Sequence, residues 1–236
     1  MPSRLLMSLI VVLLAALMIA GCSKNESSPT EPEGGTPTIP TVSFKGPNTN
    51  SQDNNAVMVK SYVAAINALT TAFAPLAALP GVQNGNVWTW TYTDRTLTIR
   101  FTATRQGDGS YVWKMVLNGI DPDDQTVYNN WTAIEGTSSA DSKSGSWKIY
   151  AENTTTLEAE YIWTTVNNVL TGTLKEYTNN VVSYQTVVTN NPDNSGELKV
   201  YTGTVMTYRA VWQANGSGQW WSYGLNGAQT GTGTWT

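Results

Sequence analysis

The chain has 236 residues and no histidine. Without an imidazole there is no Ser-His-Asp or Cys-His triad, no zincin-type metal site and no ordinary switch near neutral pH. Carboxylates, hydroxyls and indoles are what remain for chemistry. The densest carboxylate group is Asp121-Pro122-Asp123-Asp124. Such a loop can offer oxygen ligands to calcium, but this one lacks the spacing of a known calcium loop and reads as a solvated turn. Glycoside hydrolysis needs only two carboxyl groups at the right separation, and no pair stands out here. The chain reads as a non-enzyme that carries no cofactor.

Ten tryptophans are the second chemical resource. An indole has an apolar body and one N–H donor, so it serves cores and ligand platforms alike. Trp88, Trp90 and Tyr92 lie on one face of one strand-like stretch. Trp220 and Trp221 are adjacent and must point to opposite faces, so one of them lies outside the core. Trp88, Trp90, Trp220 and Trp221 are therefore the candidate ligand-binding residues. Exposed in a cluster, they would bind sugar or lipid; buried, they are core.

The third resource is the only cysteine, Cys22. Arg4 precedes an apolar run, Leu5 to Ala20, interrupted only by Ser8. The small residues Ala20 and Gly21 end it, in the layout of a secretory signal peptide. The run is shorter than the ~20 apolar residues of a helical membrane span. Ile19-Ala20-Gly21-Cys22 resembles the lipobox of bacterial lipoproteins. The resemblance covers about the first tenth of the chain. It implies a signal peptide over 1–21, a diacylglyceryl thioether on Cys22 and acylation of the new amino terminus. Two or three acyl chains would make a stable anchor where one would not. Ser23, in place of the aspartate linked to inner-membrane retention, implies the outer membrane, facing the periplasm or the cell surface. Once Cys22 is acylated no thiol is left for a disulfide.

The elements that position these residues follow from composition and period. Residues 22–54 are rich in Ser, Thr, Pro, Glu, Gly and Asn and read as a flexible tether. Over 55–80 the pattern is helical: Val59, Tyr62, Val63, Ile66, Leu69, Phe73 and Leu76 share one face. Ser61, Ala65, Ala68 and Ala72 make the other face small, so the helix can pack on a sheet or lie inside a curved one. Asp53, Asn54 and Asn55 are capping types, and Pro75 should kink or end the helix. Over 86–236 the period falls to two. Twelve strands alternate with turns such as Asn167-Asn168, Asn179-Asn180 and Asn226-Gly227. The fold class is mainly β: an antiparallel meander forming a barrel or half-barrel, with one N-terminal helix packed on or in it. Helix and meander form one domain.

A weak repeat marks this half. Gly145-Ser-Trp-Lys-Ile-Tyr150, Gly172-Thr-Leu-Lys-Glu-Tyr177 and Gly196-Glu-Leu-Lys-Val-Tyr201 share one pattern, and Gly218-Gln-Trp-Trp-Ser-Tyr223 keeps it except for the lysine. It reads as hairpin grammar, with Lys148, Lys175 and Lys199 on the solvent face. Mid-strand charges at Arg100, Lys148, Glu158 and Glu160 argue against a lipid-facing barrel, where each would cost ~2–4 kcal/mol at midplane. A formal charge of −4 without basic clusters argues against nucleic acid. The expected partners are the membrane, through the lipid anchor, and either an envelope component or a hydrophobic ligand. An envelope interaction or structural role comes first, then lipid carriage in the sheet's concavity, then carbohydrate binding.

Overall fold

The computed structural model describes residues 36–236. The leader and Cys22 lie outside the described residues. Helix α1 spans Asn54–Thr71 and a single turn, α2, spans Ala74–Ala77. Thirteen strands follow: β1 Val82–Asn84, β2 Val87–Asp94, β3 Leu97–Arg105, β4 Tyr111–Ile120, β5 Val127–Ser138, β6 Ser144–Tyr150, β7 Leu157–Val166, β8 Val169–Thr178, β9 Val181–Asn190, β10 Gly196–Thr202, β11 Val205–Trp212, β12 Gly218–Tyr223 and β13 Gln229–Trp235. They form one antiparallel sheet in strict sequence order, with β1 and β13 as its two edges. The meander is a half-barrel, not a closed barrel.

Local chemistry fixes the elements. The Asp53 side chain accepts from the Asn55 and Ala56 amides and starts α1. The helical segment expected over 55–80 is broken in two at Pro75, the residue expected to kink or end it. Pro75 has no amide hydrogen, so the ladder ends at the bond from Ala72 N–H to the Ala68 carbonyl, and the chain restarts as α2. Two-residue turns at Asn167-Asn168 and Asn179-Asn180 hold φ values of 51°, 62°, 52° and 63°. Those are the left-handed angles that tight hairpins require and asparagine tolerates. Strand β1, absent from the sequence reading, is too short to show a period.

The inner face of the sheet and the helix share one core. Val59, Val63 and Ile66 are buried with Phe101, Trp113, Met115, Trp147, Trp163 and Leu198. Helix α1 lies across the concavity. Near its start Asn55 meets Tyr208 of β11, and about two turns later Tyr62 bonds Tyr184 of β9 through their hydroxyls. Just beyond its end Phe73 packs on Phe101 of β3 and Trp147 of β6. The face carrying Ala56, Val59, Val63, Ile66 and Leu69 packs on the inner side of the sheet, while Val57, Ser61, Ala64 and Thr71 on the other side stay exposed.

The repeat has a packing meaning. Gly145, Gly196 and Gly218 sit directly opposite Trp163, Trp212 and Trp235 on the following strand. A Cβ at any of the three would collide with that indole. Each indole lies flat over the glycine, and its N–H donates to a carbonyl in the turn just before it: Ser142, Asn194 and Gly216 at 3.0, 3.1 and 2.8 Å. Glycine thus provides the space and the turn provides the acceptor.

Candidate functional site

The concavity is occupied by the chain itself. Residues 36–53, assigned by composition to the tether, form an extended strap packed against α1 and the sheet. Ile39, Val42 and Phe44 are 3%, 9% and 2% exposed. Two side-chain amides hold the strap as a neighbouring strand would. Asn67 of α1 accepts from Phe44 N–H at 2.8 Å and donates to its carbonyl at 2.9 Å. Asn190 of β9 does the same for Lys45 at 2.6 and 2.8 Å. The Thr70 hydroxyl donates to the Val42 carbonyl. Composition averaged over thirty residues concealed three apolar side chains spaced two or three apart.

Burial raises the phenol pKa of Tyr161, Tyr184 and Tyr208 and keeps all three neutral. Among the described residues, Trp147 Nε1 and Tyr161 Oη are buried without a hydrogen-bond partner.

The sequence-predicted tryptophans do not come together. Trp88 and Trp90 are 4% and 1% exposed and belong to the core, where Trp90 stacks on Trp113. They present no free face to a ligand. Trp220 points inward, parallel to Tyr208 and over Gly231 and Gly233. Trp221 is on the outer face, with the Arg209 guanidinium 4.9 Å from its ring centre. The pair divides across the sheet as adjacent strand residues must.

The outer face is ruled by charge. Lys114, Glu135, Lys148, Glu160 and Lys175 stand opposite one another in turn across β4–β8. Lys114 to Glu135 is 3.5 Å and Lys175 to Glu160 is 3.0 Å. Tyr150 and Tyr177 donate to those same two glutamates. Farther along, Glu197 lies 2.7 Å from both Lys199 and Arg209. Burial pushes the Glu197 carboxyl up, but its bonds to these two cations outweigh that and hold it below the usual range. Of the repeat's lysines, Lys148 and Lys175 stand opposite glutamates of neighbouring strands, while Lys199 pairs with Glu197 two residues before it on the same strand; such pairs are worth a few tenths of a kcal/mol to ~1 kcal/mol each.

One feature interrupts this surface. Strand β5 pairs with β6 only from Ile134 to Ser138. Its earlier half carries two register shifts against β4, one at Met115/Val116 and one at Leu117/Gly119. Bulges bend a strand and end its pairing, and here they swing β5 away from β6. The gap is a groove of about 930 Å³. One wall is β5 and the other is Tyr150 with the loop 151–156. The walls are tied twice: Asn153 Nδ2 donates to the Val127 carbonyl at 3.1 Å, and Trp131 Nε1 to the Thr154 carbonyl at 3.0 Å. Sequence reading missed this site; its only signal was the polar run Asn129-Asn130 inside a strand.

The Asp121–Asp124 loop serves its own turn. Asp121 Oδ1 accepts from Asp123 N–H and Asp124 Oδ1 from Thr126 N–H, both at 2.9 Å. Among the described residues no group of acidic side chains is arranged to hold a metal ion. No protein-family model matches the chain, and no curated protein matches it.

Proposed function

We propose that this protein is a bacterial lipoprotein, held to the cell envelope by lipid on Cys22, whose β domain acts through its outer surface as an envelope interaction module. The observation that carries this reading is the filled concavity. Helix α1, the strap and the inward aromatics take up the space that an acyl chain would need in a lipid carrier, with Val59, Val63, Phe44 and Ile66 all at 3% exposure or less. Recognition then falls to the convex face and its loops. The outer face carries mid-strand charge at Arg100, Lys114, Lys148 and Glu160, which suits water and not bilayer. Cells fed labelled palmitate should label the wild-type chain and not Cys22→Ala, and only the wild type should sediment with membranes. Equal labelling of the two would refute the anchor.

A further inference from the structure

We infer that the groove between β5 and the loop 151–156 is a binding site for a neutral oligosaccharide. This deepens the reading of the domain as a surface-binding module and rests on it. The groove is open to solvent, and its volume, about 930 Å³, falls in the range of ligand sites. The lining decides the ligand class. Asn129, Asn130, Thr132 and Thr155 supply amides and hydroxyls, each able to donate and accept. A sugar presents the same dual chemistry on adjacent hydroxyls. No lysine or arginine lines the groove, so a phosphate or sulfate would find no counter-charge. The one carboxylate, Glu135, is already engaged by Tyr150 at 3.0 Å and Lys114 at 3.5 Å, so a cation has a single compensated ligand. An acyl chain would strand those polar groups without partners.

The groove is also built to be rigid. Asn130 holds φ at +50° in mid-strand, a conformation that non-glycine residues rarely adopt. Its N–H donates to the Asn118 side chain at 3.2 Å. The positive φ and the neighbouring register shift set Asn129 and Asn130 side by side on the groove wall, both exposed. Aromatic surface completes the site. The half-buried Tyr150 flanks the polar groups and offers its ring to the C–H side of a pyranose. Trp131, 6% exposed and stacked on Tyr128, stays in the core and fixes the wall through its nitrogen bond to Thr154. Hydroxyl readers beside a ring face are the two halves of sugar recognition.

The test is a titration of the isotope-labelled chain from Ser23 to Thr236, followed by amide NMR. The probes are gluco-, xylo-, manno- and chito-oligosaccharides of three to six units. At least one should shift Asn129, Asn130 and Asn153 saturably, with Kd between about 10 μM and 1 mM. Asn129→Ala with Thr155→Ala, both exposed, should keep the fold and weaken that binding about tenfold or more, equivalent to ~1.4 kcal/mol. Silence at the groove with every probe overturns the inference, as does binding that the double variant leaves unchanged. A lipid found in the concavity would defeat the surface-module reading and leave the groove result standing.

Discussion

The ring of Phe44 lies against Gly172, where a Cβ would collide with its Cζ. At Gly145, Gly196 and Gly218 the same space is filled by a tryptophan from the next strand, but the residue opposite Gly172 on β9 is Val188. The repeat lacks an indole at this one place, and the strap supplies a phenyl ring instead. Strap and sheet are thus one packing unit.

Phe44→Ala should therefore behave as a core truncation, costing ~3–5 kcal/mol, although Phe44 precedes every regular element. Urea denaturation measures it. Limited proteolysis should then cut within 36–53, where the wild type is protected. A loss under ~1 kcal/mol with no new cleavage would mean that the strap is dispensable.

Gly172→Val should release the strap as Phe44→Ala does, by steric conflict instead of lost burial. The two changes meet at one contact, so the double variant should lose less than the sum of the singles. A full sum in the denaturation midpoints would contradict a shared contact.

Asn190→Leu removes both bonds to the part-buried backbone of Lys45, at a cost of up to ~1–3 kcal/mol for each group that water does not reach. Hydrogen exchange at Lys45 should rise well before exchange in β9. A uniform rise would mean that the clamp and the sheet open together.

Tyr161→Phe is expected to be neutral or stabilising. The hydroxyl is buried with no partner, so removing it relieves an unmet desolvation cost. Calorimetry reads this as an unchanged or raised Tm; a fall of several degrees would show that the hydroxyl is bonded.

The Glu197 carboxyl is held below its ordinary value of 4.5 by Lys199 and Arg209. A depressed folded-state pKa contributes stability above the unfolded value and loses it as pH falls through the folded one. Acidification from about pH 5 downward should destabilise the wild type more than Glu197→Gln. The difference is at most ~1 kcal/mol, because solvent screens the cluster.

Much of this was legible in the chain. Leu97, Ile99, Phe101 and Ala103 alternate with threonine and arginine, and the strand follows that parity. The paired asparagines announced their turns. The helix period was clear, and so was its break at Pro75. The repeat was visible as Gly-x-x-Lys-x-Tyr, but its reason was not, because the indole over each glycine comes from the following strand. The strap was hidden for a similar cause: Ile39, Val42 and Phe44 gain meaning only from partners 20 to 150 residues away. The groove was the least legible, since bulges depend on register between strands and leave almost no trace in one of them. Trp88 and Trp90 were plausible as a platform because sequence parity shows a shared face but not which side of the sheet is covered.

The central claim is that the half-barrel is full. Native mass spectrometry of the chain from Ser23 to Thr236, purified gently from a bacterial periplasm, tests it most directly. The account predicts the bare polypeptide mass, unchanged after incubation with phospholipid or fatty acid. A reproducible added mass of one lipid, lost when the helix is displaced or Ile66 is enlarged to Trp, would contradict it and make the concavity a lipid site.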